Sequence, residues 1–270
     1  MDKHKLLQFL PTDEQNVNRL LYLKNNATKP RIAVFGKYNH GKSTLLNAMV
    51  GEAIFKAADK RETIENKELE QDHVIWIDTP GLDADVHKQD DKAAIKGAFE
   101  MADYLFLVHQ AQAGELDKYE MQIFQQLARQ DKNYSKKMFL VLTQIDQKSA
   151  DEVAIVEEKI RQQLLGSLDL RDLQIISVSA HRYNRGLQED KAVFCEKSGI
   201  HALFDLTATL VSEIDELRKK EMKRLKSKLL LDFSAQKEAL NAELKGLRSQ
   251  QSSELSMLKR DVKQLSAALV

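Results

Sequence analysis

One octapeptide constrains the fold of this chain more than any other feature. Residues 36–43 read Gly-Lys-Tyr-Asn-His-Gly-Lys-Ser, which matches the pattern G-x-x-x-x-G-K-[ST]. An apolar run at residues 32–35 precedes the octapeptide and a helix-like segment follows it, so it joins a strand to a helix. In that context the backbone N–H groups of a glycine loop curl around phosphate groups. The sequence therefore predicts a phosphate-binding loop.

Each polar residue of this loop has a predicted contact. Lys42 reaches the β and γ phosphates, Ser43 ligates Mg²⁺, and the positive end of the helix that starts at Gly41 points at the phosphates. The alternative is a glycine-bearing turn that matches the pattern by chance. The predicted nucleotide-binding residues of the loop are Gly36, Asn39, His40, Gly41, Lys42, Ser43 and Thr44.

Two later segments supply candidate groups for the metal and the γ-phosphate. Asp78 begins the turn Asp-Thr-Pro-Gly and can hold Mg²⁺ through water, while Gly81 can offer its N–H to the γ-phosphate. Thr63 is the only serine or threonine between Thr44 and Asp78, so it is the only hydroxyl there that can close over the metal. The predicted metal ligands are Ser43, Thr63 and Asp78. The alternatives are ordinary turn chemistry and a loop threonine.

Short apolar runs alternate with helix-like segments through the middle of the chain. The runs lie at residues 32–35, 74–77, 104–108, 138–142 and 173–178. Strands that alternate with helices predict an α/β fold with a mostly parallel sheet between helices. Capping boxes at Thr12 and Ser149 predict helix starts, the first for a helix over 12–27 that ends before Pro30.

The last segment is predicted to be one long helix, interrupted only at Gly246. Towards its end leucines and a valine recur every three or four residues, with a stutter at Gln251. About 65 helical residues would reach roughly 100 Å, so most of this helix needs a partner. We predict an N-terminal helical segment (1–29), a nucleotide-binding domain (30–200) and a long helix, stalk or coiled coil (201–270).

Composition indicates the cellular location and the kinds of partner that we expect. Lysine plus arginine equals aspartate plus glutamate at 41 each, so no overall charge attracts nucleic acid or an anionic membrane. A single cysteine, Cys195, excludes an internal disulfide, and the start of the chain lacks a signal peptide, so we expect a cytoplasmic protein. The basic stretch at residues 218–228 is either a solvated helix face or a membrane-surface contact. The seven histidines show no metal-ligand spacing.

The order of these motifs resembles that of the translation-factor-like GTPases. The resemblance implies that GTP and GDP bind with Mg²⁺ and places the guanine loop at Thr143, Gln144 and Asp146, where the family usually has Asn-Lys-x-Asp. Asp146 then accepts hydrogen bonds from the base, and Gln144 replaces the lysine whose stem covers it. The alternative for Asp146 is a helix cap. Ser179 and Ala180 resemble the last family motif, whose backbone N–H meets guanine O6.

The resemblance also implies hydrolysis of the β–γ phosphoanhydride, with Lys42, Thr63, Gly81 and Asn39 as the catalytic set. Leu82 stands where many relatives carry the glutamine that orients water. Relatives with a hydrophobic residue there use another group or a partner subunit, and in several of them an asparagine placed like Asn39 holds K⁺. The alternative for Asn39 is a loop conformation that asparagine tolerates.

Over residues 12–230 the chain is more specifically similar to bacterial dynamin-like proteins, and among these to the labile enterotoxin output group. The likeness rests on the N-terminal helix, the loop with Thr44 and the residues after it, the segment Arg61-Glu62-Thr63 and the long final helix. It implies a homodimer through the nucleotide-binding domain or the long helix, with peripheral membrane contact. A stalk of several helices is absent from these residues, so either the chain is a fragment or the final helix pairs between subunits.

The sequence therefore leaves two alternative hypotheses for the function. The first is a dynamin-like GTPase activated by pairing of its nucleotide-binding domains. The second is a nucleotide-dependent switch with negligible hydrolysis that recruits a partner through its long helix, which Leu82 and Gln144 motivate. An RNA-associated GTPase ranks last, because the chain has no basic motif interleaved with aromatic residues, and we do not expect a nucleic acid partner.

Overall fold

Six strands of the computed structural model form one sheet. The structure describes residues 3–25, 29–52, 54, 67–79, 100–129, 136–167 and 169–268. The strand order is β2-β3-β1-β4-β5-β6, with β2 antiparallel to β3 and every other neighbouring pair parallel. The predicted α/β fold with a mostly parallel sheet is confirmed. The strands are β1 (Arg31–Gly36), β2 (Lys67–Gln71), β3 (Val74–Asp78), β4 (Tyr104–Gln110), β5 (Met138–Thr143) and β6 (Gln174–Ser177).

Eight α-helices are described in these parts of the chain. They are α1 (Lys3–Phe9), α2 (Glu14–Asn25), α3 (Lys42–Val50), α4 (Lys118–Arg129), α5 (Ala150–Leu165), α6 (Ala180–Gln188), α7 (Ala192–Glu196) and α8 (Ile200–Ala268). The predicted capping box of α5 is confirmed, because the Ser149 hydroxyl accepts from the backbone N–H of Glu152 and the Glu152 carboxylate accepts from the backbone N–H of Ser149. The predicted long helix is confirmed as α8.

Two local predictions differ from the structure, and one strand was not predicted. Helix α2 begins at Glu14 and not at residue 12, because Pro11–Asp13 form a 3₁₀ turn. Gly246 does not interrupt α8, since a single glycine only weakens a helix. The strand β2 was not predicted, because its sequence Lys-Glu-Leu-Glu-Gln has no apolar run. It lies at the sheet edge, where charged side chains can face solvent.

Contacts divide the chain into two compact units, residues 22–220 and residues 1–21 together with 221–270. In the first unit apolar side chains cover both faces of the sheet. Alternate residues of each central strand belong to opposite clusters, as Phe35 and Val34 do in β1. Helices α4 and α5 contribute to the cluster with Phe35, whereas α3 and the first turns of α8 contribute to the cluster with Val34. This two-sided burial explains why the parallel strands read as continuous apolar runs.

The position of β1 determines where a ligand can bind. Strand β1 lies between β3 and β4, which follow it in the chain but pair on its opposite sides. The chain therefore changes direction across the sheet at β1, and the carboxyl ends of these strands form a crevice there. The loop from Gly36 to Lys42 occupies this end of β1.

The second unit joins the two ends of the chain. The Arg19 guanidinium donates to both carboxylate oxygens of Glu221, at 3.1 and 3.0 Å, and both side chains are buried. Within the same unit the Phe9 and Phe233 rings meet edge to face, with their centroids 5.7 Å apart. Farther along α8 the predicted stripe is exposed, at Leu244, Leu247, Leu255, Leu258, Val262 and Leu265.

In the described ranges, none of the helices has both the length and the apolar character required to span a bilayer.

One buried ion pair of the first unit ties α8 to the sheet. The Arg218 guanidinium donates to the carboxylate of Asp103 from Nη2 at 2.6 Å and from Nε at 3.2 Å. Asp103 directly precedes β4 and also accepts from the backbone N–H of Arg31 at 2.9 Å. Both charged side chains are at most 5% exposed. The pair therefore holds two strands and a helix together in a low-dielectric environment.

We expect Arg218→Met to lower the free energy of unfolding by about 3–5 kcal/mol, because it removes the counterion of a buried carboxylate. The matched control is Arg129→Met, which removes the surface pair of Arg129 with Asp169 and should cost about 0–1 kcal/mol. Urea denaturation followed by the fluorescence of Trp76, the only tryptophan, measures both variants in the same unit. Equal transition midpoints for the two variants would contradict this account of the ion pair.

Candidate phosphate and metal site

The loop between β1 and α3 depends on two glycines. A Cβ at Gly36 would lie 2.3 Å from the carbonyl oxygen of Val108 on β4, so only glycine permits this strand contact. Gly41 precedes the helix with a φ of 88°, a left-handed conformation that favours glycine. Asn39 is left-handed as well, at φ 59°, and asparagine tolerates that conformation better than most residues. The chain can therefore turn back sharply and enter α3 with its first N–H groups facing the crevice.

Lys42 and Ser43 begin helix α3 at this loop. The Lys42 ammonium is largely buried and donates to the backbone carbonyl of Lys37 at 2.9 Å. Burial lowers the pKa of Lys42 to about 8, and the nearby Asp78 carboxylate opposes that shift. The Ser43 hydroxyl donates to the Asp78 carboxylate at 3.1 Å, although the two residues are 35 positions apart in the sequence. Thr44 lies in the same first turn and is half-buried.

The donor set around Ser43 and Asp78 suits a hard divalent cation. A hydroxyl and a carboxylate oxygen, one from the start of α3 and one from the end of β3, are the ligand types that Mg²⁺ prefers. Thr79 keeps the end of β3 in place because its hydroxyl donates to the carbonyl of Val34 at 2.8 Å. The other predicted metal ligand, Thr63, and the predicted γ-phosphate contact, Gly81, lie outside the described residues, as does Leu82.

The predicted guanine loop contacts the phosphate loop directly. The Thr143 hydroxyl, at the end of β5, donates to the carbonyl oxygen of His40 at 2.6 Å. The side-chain amide of Gln144 donates to the carbonyl of Asn39 at 3.1 Å, and Gln144 itself is left-handed at φ 58°. Hence the two residues that depart from the family pattern both bind the backbone of the loop they adjoin.

Asp146 and Ser179 are brought together across two loops. The Ser179 hydroxyl donates to Asp146 Oδ1 at 2.5 Å. Ser179 also accepts from the backbone N–H of Arg182 at 2.9 Å and so caps α6, which begins at Ala180. Asp146 lies in a 3₁₀ turn, and the helix that follows is capped by Ser149. Asp146 therefore does not serve as the cap of that helix.

The structure reveals a buried cluster next to the loop that the sequence did not indicate. His40 points its side chain towards His109 of β4 and Glu120 of α4, and all three are buried. Glu120 Oε1 lies 2.8 Å from His109 Nδ1 and 3.4 Å from His40 Nδ1. Burial lowers the pKa of His40 to about 4 despite the attraction of Glu120, so the His40 ring is neutral near pH 7. These residues have no fixed sequence spacing that could have predicted the cluster.

A surface ion pair adds another support to the loop. Lys37 pairs with Asp117, which lies just before α4. Asp117 also accepts from the backbone N–H of Glu120 at 2.9 Å, so it caps the start of that helix. Desolvation acts to raise the pKa of Asp117, but pairing with Lys37 and the backbone hydrogen bonds together outweigh it and lower that pKa. The loop is thus held by contacts from β4, β5 and α4.

Comparison with known proteins places this geometry in a recognised fold. Residues 31–144 match the model of a family described as 50S ribosome-binding GTPase. An uncharacterized protein of Acinetobacter baylyi is 41% identical over 227 residues, which are 83% of this chain and 52% of that protein. GTPase Era of Alkaliphilus metalliredigens is 33% identical over 124 residues, which are 43% of this chain and 40% of that protein. The chain thus spans about half the length or less of these curated relatives.

A solved structure of an oligomerised bacterial dynamin pair is similar over the whole chain. That pair is described as providing a mechanism for the long-range sensing and tethering of membranes. The TM-score is 0.56 at 18% sequence identity, and the match covers 100% of this chain and 62% of that chain. At this identity the likeness concerns the fold alone. Together with the strand order, the glycine loop and the family match, it identifies residues 31–177 as having the fold of a P-loop GTPase domain.

Proposed function

We propose that the protein binds GTP with Mg²⁺ and hydrolyses it to GDP and phosphate, as a dynamin-like GTPase. The observation that carries this proposal is the Ser43–Asp78 hydrogen bond of 3.1 Å beside the buried Lys42. Three separate requirements of phosphoryl transfer, a backbone cradle, a cation and a metal site, then meet at the carboxyl end of β1. A nucleoside triphosphate with its Mg²⁺ meets all three requirements.

The chain's own residues have distinct tasks in this proposal. The backbone N–H groups between Gly36 and Lys42 bind phosphate oxygens, and the dipole of α3 favours their negative charge. Lys42 exchanges its hydrogen bond with the Lys37 carbonyl for one with the β and γ phosphates. Ser43, Thr63 and Asp78 would hold Mg²⁺, which would supply positive charge next to the phosphates. Gly81 offers its N–H to the γ-phosphate.

Recognition of guanine is assigned to two loops. Asp146 accepts from N1 and the exocyclic amine of the base, and its hydrogen bond to Ser179 keeps the carboxylate near that position. The backbone N–H of Ala180 or Ser179 faces guanine O6. Gln144 occupies the place of the base-covering lysine, with its amide engaged by the Asn39 carbonyl. The base is therefore held less tightly than in relatives that carry the lysine.

The dynamin-like part of the proposal concerns pairing. The fold likeness to a bacterial dynamin pair extends over the whole chain, and the exposed stripe on α8 offers a second contact surface. Asn39 lies exposed at the tip of the loop, where a second nucleotide-binding domain could approach it. We propose that Asn39 holds K⁺ in the paired state. The same proposal includes three further points. They are membership of the labile enterotoxin output group, a cytoplasmic location with peripheral membrane contact, and the domain limits 1–29, 30–200 and 201–270.

The second candidate is a nucleotide-dependent switch with negligible hydrolysis. Two residues favour it, since Leu82 cannot orient water and Gln144 lacks the lysine stem. In a switch, the bound nucleotide would change which partner the long helix recruits. Phosphate release by the purified protein separates the two functions, because steady multiple turnovers exclude a passive switch.

We expect Lys42→Ala to weaken nucleotide binding by about a hundredfold or more, because a charged hydrogen bond to phosphate is worth about 1.5–3 kcal/mol and more than one is lost. The measurement is titration with a fluorescent guanine nucleotide in Mg²⁺. Lys159→Ala is the matched control, since Lys159 is an exposed lysine on α5. Unchanged affinity in the Lys42 variant would refute the assignment of the loop.

We expect turnover per molecule to rise with protein concentration and to be faster in K⁺ than in Na⁺. A positive charge placed at the transferred phosphate by pairing is worth about a thousandfold in rate. The GTPase rate is measured across concentrations in both salts, with molecular mass recorded alongside. Asn39→Ala should remove the difference between the salts. A rate independent of concentration and salt would eliminate pairing while leaving nucleotide binding intact.

We expect Gln144→Lys to tighten guanine nucleotide binding by up to about tenfold, because two further methylene groups can cover the base at about 0.8 kcal/mol each. Gln147→Lys is the control, since it adds the same charge to the same turn at an exposed position. The affinity for GDP, measured for both variants, tests the effect. A GDP affinity no tighter for Gln144→Lys than for the control would remove Gln144 from the base site.

A further inference from the structure

The buried cluster of His40, His109 and Glu120 has the composition of a metal site. Each side chain offers one ligand atom, and these atoms all lie within 4.8 Å of one another. The three residues are 5%, 0% and 1% exposed. They come from three elements, the phosphate loop, strand β4 and the first turn of helix α4. Such a convergence of imidazole and carboxylate groups in a buried place requires a physical explanation.

Contacts on both sides orient His109 and Glu120 towards each other. His109 Nε2 lies 3.0 Å from the carbonyl oxygen of Gly114, which can only accept, so Nε2 carries a proton. The other ring nitrogen, Nδ1, lies 2.8 Å from Glu120 Oε1. The second carboxylate oxygen, Oε2, accepts from the backbone N–H of Asp117 at 3.2 Å. One nitrogen and one carboxylate oxygen are therefore held side by side in the cluster.

His40 adds a third group to the cluster. Its Nδ1 is buried and makes no hydrogen bond with any residue that the structure describes. The same atom lies 3.4 Å from Glu120 Oε1. A cation between these three atoms would satisfy all of them at once.

We propose that His40, His109 and Glu120 bind one Zn²⁺ ion, separate from the Mg²⁺ of the nucleotide. Zinc binds nitrogen at about 2.0–2.1 Å and carboxylate oxygen at about 2.0–2.2 Å, so tetrahedral ligand atoms lie about 3.3 Å apart. The distances of 2.8 and 3.4 Å to Glu120 Oε1 lie on either side of that value. Two imidazoles and one carboxylate suit zinc, whereas Mg²⁺ prefers oxygen ligands in an octahedron.

Hydrogen bonds around the cluster orient its ligand side chains, as outer-shell residues do in metal sites. The Gly114 carbonyl orients the His109 ring, and the Asp117 N–H orients the Glu120 carboxylate. The Thr143 hydroxyl lies within hydrogen-bonding distance of the carbonyls of both His40 and His109, at 2.6 and 3.2 Å. Since His40 immediately precedes Gly41, a bound ion would fasten the phosphate loop to β4 and α4.

The test is zinc uptake by the full chain, stripped with a chelator and dialysed, with no nucleotide present. Titration against a competing zinc indicator should give one equivalent per chain. His40→Gln and Glu120→Gln should each weaken that affinity by more than about tenfold. The control His73→Gln changes an exposed histidine in the turn between β2 and β3 and should leave the affinity unchanged. Because nucleotide is absent, the outcome does not depend on the proposed GTPase function.

A second measurement does not rely on the variants folding. Co²⁺ added to the stripped wild-type chain should give the intense visible absorption of a tetrahedral site with nitrogen and oxygen ligands, and Zn²⁺ should displace it. Far-ultraviolet circular dichroism checks the fold of each variant. Absence of stoichiometric uptake, or equal affinity in wild type and in folded variants, would overturn the proposal. The cluster would then be a hydrogen-bonded support of the phosphate loop without a metal ion.

Discussion

The close approach of β1 to β4 at Gly36 is the constraint on which the rest of the site depends. The missing side chain lets the last residue of β1 pair with Val108, where a Cβ would lie 2.3 Å from the Val108 carbonyl. The strand can therefore reach the point where the sheet changes direction before the chain turns back. The left-handed Gly41 then starts α3 with its N–H groups towards the crevice. A phosphate cradle follows from these two backbone positions.

The loop is held mainly by groups that do not contact a phosphate in the proposed mechanism. Thr143 and Gln144 donate to carbonyls of the loop, Lys37 pairs with Asp117, and His40 is buried beside Glu120. These contacts explain a departure from the family pattern in physical terms. A threonine at the end of β5 has a hydroxyl to donate to the His40 carbonyl, and the side-chain amide of Gln144 donates to the Asn39 carbonyl. The same two residues therefore join the end of β5 to the loop.

The long helix α8 contributes buried side chains to both compact units. In the first unit its early turns bury Leu203, Leu210 and Ile214 against the sheet, and Arg218 neutralises the buried Asp103. In the second unit its residues from Glu221 bury Leu225 and Leu229, while the later apolar stripe is exposed. Hydrophobic burial stabilises only those turns that have a neighbour. The exposed turns keep apolar side chains at helical spacing.

Local patterns in the sequence were enough to predict the phosphate loop, five of the six strands, the capping box at Ser149 and the extent of α8. These features depend on residues a few positions apart, where glycine conformation, apolar runs and helix caps act directly. The edge strand β2, the contacts of Thr143 and Gln144 with the loop, and the cluster of His40, His109 and Glu120 were decided only by tertiary structure. The edge strand needs only one neighbour and carries charges, and the other contacts join residues that come from different strands and helices. No local spacing encodes such contacts, since the packing of the sheet and its helices is what brings those side chains together.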